Sequence, residues 1–90
     1  MRYRKERLES LIAQLLSQEI VRTVEEAGTL ITIIKVVIDD ELETAKVYIE
    51  VFPDSKRKEV KKLLKEKTPY FSQFLKKKIN ILRLPEIVFK

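Results

Sequence analysis

LITIIKVVI, residues 30–38, and AKVYIEVF, residues 45–52, are separated only by DDELET, residues 39–44. The first run is rich in β-branched residues and reads as a strand buried on much of both faces and central in its sheet. The second alternates, with Ala45, Val47, Ile49 and Val51 on one face and Lys46, Tyr48 and Glu50 on the other. Two strands joined by so short a polar connection pair as an antiparallel hairpin. One face of that hairpin is apolar and needs a cover.

The flanking sequence supplies it. Upstream, Leu8, Leu11, Ile12, Leu15, Leu16 and Ile20 recur at helical spacing, which predicts an amphipathic helix of about five turns at ~3.6 residues per turn. Glu25 to Thr29 then form a turn around Gly28, the only glycine in the chain, placed where the backbone takes a conformation other residues resist.

Downstream, Pro53 and Asp54 end the second strand, and Ser55 is the expected cap of a second helix. In it Val60, Leu63 and Leu64 form a narrow apolar seam, and Lys58, Lys61, Lys62 and Lys65 occupy the rest of the circumference. Thr68 and Pro69 interrupt the pattern: threonine is a good N-cap and proline suits the first helical position, so a new helix is predicted there. It buries Phe71, Phe74, Leu75 and Ile79 and ends in Lys76, Lys77 and Lys78. ILRLPEIVF, residues 81–89, reads as a closing strand, with Pro85 permitted only at an edge or a strand beginning.

The resulting order is helix, strand, strand, helix, helix, strand. A strand, two helices and a returning strand in one sheet cross over in the right-handed sense. The expected fold is therefore α+β, with helices packed on one face of a three-stranded sheet in the order of a type II KH-like domain. KH domains clamp nucleic-acid backbone with a Gly-x-x-Gly loop between paired helices. Here that junction is KTPY, residues 67–70, so the clamp is absent.

Ninety residues allow a single domain, residues 1–90, with a modest core. At 44% hydrophobic and 37% charged, the chain can fold and keep its charge at the surface. It has neither cysteine nor histidine, which removes disulfides, thiolate chemistry, and the commonest metal ligand and general base. Ser10, Ser17, Ser55 and Ser72 have no histidine to activate them. No Gly-rich phosphate loop exists. Asp39, Asp40, Glu41 and Glu43 cluster, but a calcium loop needs a longer spread around a central glycine, so they read as a solvated hairpin turn. No metal, cofactor or catalysis is expected. MRYRKERLES has no apolar stretch behind its basic residues, and no run reaches membrane-spanning length; a cytoplasmic monomer is expected.

The net charge is +5, unevenly distributed. Residues 1–18 carry four bases against two acids, a net +2; residues 19–54 carry three against nine, a net −6; residues 55–90 carry twelve against three, a net +9. Such segregation suits a basic face that meets a polyanion and an acidic face turned away from it, or else simply solvated helix faces.

ITIIKVVIDDELETAKVYIEVF, residues 31–52, also resembles the hairpin of the ribosome-binding factor A family. The correspondence runs through Val36 to Ile38, the acidic turn Asp39 to Glu41, and Ala45 to Tyr48. LPEIVF, residues 84–89, resembles that family's Pro-Glu strand, and RYRKERLESLI, residues 2–12, fits its first helix. Two features depart from the pattern. Lys67, Thr68 and Pro69 stand where the family's helix kink is usually an Ala-x-Gly element, and Ser72 replaces a frequent arginine. The C-terminal extension of longer relatives has no counterpart in residues 1–90.

The resemblance implies a non-catalytic assembly factor of the small (30S) ribosomal subunit, acting late in maturation and rRNA processing and contacting 16S rRNA. Lysine clusters give a salt-dependent attraction to RNA phosphates that fits this role. Lys61, Lys62, Lys65 and Lys67, near the helix junction, lead the candidate contacts, with Lys58 on the same helix. Lys76, Lys77 and Lys78 follow, with the helix dipole as the competing explanation. Arg2, Arg4 and Arg7 are candidates in an N-terminus that can equally be frayed, and Arg83 opens the last predicted strand. Tyr70 and Phe71 are either base-stacking residues or core. The rival to an assembly factor is a generic RNA-chaperone or protein-interaction module.

Overall fold

A computed structural model describes residues 4–24 and 28–90. The elements are α1 (Lys5–Thr23), β1 (Leu30–Ile38), β2 (Thr44–Phe52), a short 3-10 turn (Asp54–Lys56), α2 (Arg57–Glu66), α3 (Thr68–Ile79) and β3 (Glu86–Phe89). The expected α-β-β-α-α-β order is the one observed. The part of the first turn at residues 25–27 lies outside the described residues; Gly28 itself has φ +76°, the left-handed region glycine adopts without strain.

The sheet order is β1-β2-β3. β1 is therefore an edge strand, contrary to its expected central place, and β2 is the centre. β2 pairs antiparallel with β1 and parallel with β3. The largely apolar run in β1, broken by Thr32 and Lys35, is also not buried on both faces. Its pairing slips between Ile33 and Lys35, so that Ile33 opposes Ile49 while Lys35 opposes Tyr48. One extra residue, Ile34, is bulged out and exposed, and the inward set passes from Ile31 and Ile33 to Val36 and Ile38. A bulge of this kind lets a non-alternating sequence serve one buried face.

β2 needs no such correction: Ala45, Val47, Ile49 and Val51 are buried, and Lys46 and Glu50 are exposed on the other face. Against the buried face pack Leu8, Ile12, Leu16 and Ile20 of α1, Val60 and Leu64 of α2, and Phe71, Leu75 and Ile79 of α3. All three helices thus share one core. Phe74, expected in that core, is only half-buried.

The hairpin turn is built by Asp39, whose carboxylate accepts the backbone N–H groups of Glu43 and Thr44, each at 2.8 Å. Those bonds, led by the one from Thr44, hold its pKa below the ordinary range against the opposing effect of burial. Leu42 takes positive φ to close the turn. α1 is tied to the same end: Glu9 accepts the Ile38 N–H at 2.8 Å and Lys5 meets Asp40 at 3.1 Å.

Both expected helix caps are absent. Ser55 lies within the 3-10 turn, and α2 begins after Lys56 without a side-chain cap. α3 starts after Lys67, also uncapped, because the Thr68 hydroxyl points backward and donates to the Leu64 carbonyl at 3.1 Å. Pro69 has no N–H to offer the Lys65 carbonyl one turn earlier, so the ladder loses that bond, while Lys67 still donates to the Leu63 carbonyl at 3.0 Å and accepts from the Phe71 N–H at 3.1 Å. At the far end of α3, Asn80 takes the left-handed conformation and its N–H closes on Lys76 O. β3 is shorter than expected: Ile81–Pro85 precede it, and Pro85 is buried just before the strand.

Phe71 is fully buried and meets Phe89 edge to face, ring centroids 5.9 Å apart. Phe71→Ala should lower the free energy of unfolding in urea by about 3–5 kcal/mol. Ser55→Ala, which removes no cap, should change it by less than about 0.5 kcal/mol.

Candidate nucleic-acid interface

On α2, Lys58, Lys61, Lys62 and Lys65 lie at offsets of 0, 3, 4 and 7 from the first, which places them in one stripe along the helix. Val60 and Leu64 anchor the opposite side in the core. Lys58, Lys62 and Lys65 are exposed, and Lys61 and Lys67 are partly covered. α2 cannot rotate the stripe inward without exposing Val60 and Leu64. The stripe runs to the proline kink.

The other sequence candidates do not join it. Consecutive helical residues point about 100° apart at ~3.6 residues per turn, so Lys76, Lys77 and Lys78 fan around α3. Arg4 caps the start of α1, close to the Lys5–Asp40 bridge. Arg83 shortly precedes Glu86, whose N–H bonds the Glu43 carbonyl at 2.8 Å. Arg4, Arg7 and Arg83 are exposed, and Arg4 and Arg83 lie in chain segments that meet the hairpin end, away from α2. Arg2 lies outside the described residues.

The fold brings together a cluster that sequence reasoning missed. Glu19 on α1 is 3% exposed. Its two oxygens accept Arg22 Nε at 3.0 Å and Nη2 at 2.7 Å. Tyr70, two residues past the kink, donates its hydroxyl to Glu19 Oε2 and accepts from Arg22 Nη2 at 3.1 Å. The Arg22 bond, then the Tyr70 bond, hold the Glu19 carboxyl at a pKa of about 2 despite the opposing effect of burial. Arg22 and Tyr70 are both pushed upward, mainly by their hydrogen bonds to Glu19.

Tyr70 is 44% exposed, with its ring edge-on to Phe71 at 5.5 Å. It is neither core nor an unattached stacking platform: its hydroxyl pins the start of α3 to the end of α1. Arg22 is hidden in the sequence because it lies in the acidic segment. A Glu-x-x-Arg pair at helical spacing is the available signal, but nothing local marks its third member.

The fold and site define a small α+β protein with a lysine-striped, proline-kinked helix pair over a three-stranded sheet. The family model for ribosome-binding factor A matches residues 4–90. The chain belongs to the ribosome-binding factor A family. It is 32% identical to ribosome-binding factor A of Fervidobacterium nodosum over 93 aligned residues, covering 98% of this chain and 74% of that protein.

Its fold is similar to the crystal structure of ribosome-binding factor A from Thermus thermophilus, with a TM-score of 0.82 at 22% identity, covering 98% of this chain and 96% of the other. It is also similar to the Thermus thermophilus homology model fitted into a cryo-EM map of a 30S complex, with a TM-score of 0.79 at 22% identity and coverage of 92% and 89%.

Because the folded-state pKa of Glu19 is depressed, its contribution to stability is complete above its ordinary value of 4.5 and is lost as pH falls toward about 2. Melting temperatures measured from pH 7 to pH 2 should fall across that window. Tyr70→Phe, which removes one donor to the carboxylate, should move the fall to higher pH.

Proposed function

We propose that this chain is a non-catalytic assembly factor that binds the immature small ribosomal subunit during late maturation and rRNA processing, and that the α2–α3 junction faces 16S rRNA. Membership of the ribosome-binding factor A family supports the class. The 30S complex of the Thermus thermophilus relative supports the partner.

The observation that carries the placement is the α2 stripe. Lys58, Lys61, Lys62 and Lys65 share one outward face, with Lys67 at the kink. Each lysine that neutralises a phosphate releases condensed counterions, so binding through such a stripe is strong at low salt and weakens steeply as salt rises. With no Gly-x-x-Gly loop, close approach of backbone to phosphate gives way to long, flexible side chains. These position RNA without reading bases.

The test is co-sedimentation with free small subunits, large subunits and joined ribosomes, at low and near-physiological salt. Binding that survives the higher salt only on free small subunits is the expected result. Equal binding to all three that washes off together would leave only a generic basic RNA-binding module. Lys62→Glu with Lys65→Glu should weaken small-subunit binding with unchanged circular dichroism. Neutralising the same two positions with Gln should flatten the logarithmic salt dependence by roughly 1.5, if each contacts one phosphate.

A further inference from the structure

Beside the Glu19 cluster, an open groove of about 420 Å³ runs between α1 and α3, lined by Leu15, Gln18, Glu19, Arg22, Phe74 and Lys78. Its volume falls in the range of small-ligand sites, about 300–1,000 Å³. We propose that this groove holds one nucleotide of single-stranded RNA, with the base against Leu15 and Phe74 and its phosphate on Arg22 and Lys78. The inference rests on the RNA-binding reading above and gives it a second, chemically different contact.

Arg22 supplies the strongest support. Its Nε and Nη2 are committed to Glu19 and Tyr70, but Nη1 has no partner among the described residues, and the side chain is 68% exposed. A buried carboxylate therefore holds a guanidinium in place while one prong remains available. A planar donor fixed in this way suits a phosphate oxygen and loses little freedom on binding.

Lys78 provides the second cation. It is exposed and sits on the groove, with Nζ 5.9 Å from the Phe74 ring centroid, at the loose limit of a cation–π contact. Its head is free to swing to a phosphate while its stem stays on the ring.

Phe74 is the one core-pattern residue of α3 that the core leaves half-buried, which gives the groove an aromatic wall. Aromatic rings accept any base by stacking. Gln18 offers both a donor and an acceptor to a base edge. Two cations against one carboxylate leave the groove with a net positive charge, complementary to a nucleotide. Tyr70, bonded to Glu19 and Arg22, joins this groove to the start of α3, three residues past Lys67.

The test is a two-dimensional amide NMR titration of the 90-residue chain with adenosine 5′-monophosphate, and separately with inorganic phosphate at matched ionic strength. Saturable shifts at residues 15–22 and 74–78 with the nucleotide, and not with phosphate, are expected. Phe74→Leu, which keeps an apolar side chain, should weaken the nucleotide by roughly tenfold through lost stacking. Arg22→Lys keeps a cation beside Glu19 but loses the second prong, and should weaken it severalfold. Lys62→Glu with Lys65→Glu should leave the groove shifts intact while reducing subunit binding, which separates failure of the α2 placement from failure of the groove. Identical shifts with phosphate alone, shifts confined to α2, or undiminished nucleotide binding by Phe74→Leu would overturn the proposal.

Discussion

Parallel pairing of β2 with β3 is the constraint from which the rest of the architecture follows. Parallel neighbours cannot be joined by a tight turn, because the chain must travel back to the starting end of the sheet before the second strand begins. Here Thr44 of β2 is level with Glu86 of β3, so everything between Phe52 and Glu86 is a return path. That path must also cover the apolar face of β2, where Ala45, Val47, Ile49 and Val51 would otherwise meet water. α2 and α3 meet both requirements. Their polar sides, which carry eight of the chain's 19 lysines and arginines, are left facing outward.

The break between those helices has a chemical cause and a geometric result. A single unbroken helix would point Val60, Leu64, Phe71, Leu75 and Ile79 along one straight stripe, whereas α2 packs on β2 and β3 and α3 also packs on α1. Pro69 removes the helical donor to the Lys65 carbonyl, and the Thr68 hydroxyl adds a bond to the neighbouring Leu64 carbonyl. The two segments can then bury their apolar sides separately. In the family such a kink usually uses a small residue and a glycine; Thr-Pro reaches a break by removing a donor instead of by freeing the backbone. Tyr70 then fixes the direction of α3 by reaching Glu19 on α1. A buried carboxylate without partners would be costly, and the two donors that make Glu19 tolerable are the ones that lock the helices together.

Sequence reveals those elements whose burial follows a simple period. β2 is legible because only one of its faces is covered, and α1 because its stripe faces a single core. β1 misleads because the Ile34 bulge lets consecutive apolar residues alternate between core and solvent in a way that mimics a fully buried strand. Its edge position is hidden for another reason: strand order depends on where β3 lands, and no local pattern in residues 30–38 records that. The expected caps at Ser55 and Thr68 fail because a 3-10 turn and a proline change which backbone groups need partners. Within the site, the α2 stripe is legible from spacing alone. Lys76, Lys77 and Lys78 look like one patch only because adjacency in sequence is not adjacency on a helix.

The charge segregation along the chain hides the arrangement in space. Counted linearly, Glu19 and Arg22 belong to an acidic segment and the hairpin-end arginines to basic ones. In the fold, Arg22 lies beside the start of basic α3, joined to Tyr70. A surface lysine stripe and a braced guanidinium also respond differently to solvent. The stripe acts over distances comparable to the Debye length, about 8 Å at physiological ionic strength, and salt weakens it accordingly. An arginine held by a buried carboxylate beside an aromatic wall acts at contact distance, where van der Waals and stacking terms persist as ions are added. In the proposed reading the two divide the work on a polyanion: electrostatic capture along α2, then short-range seating between α1 and α3.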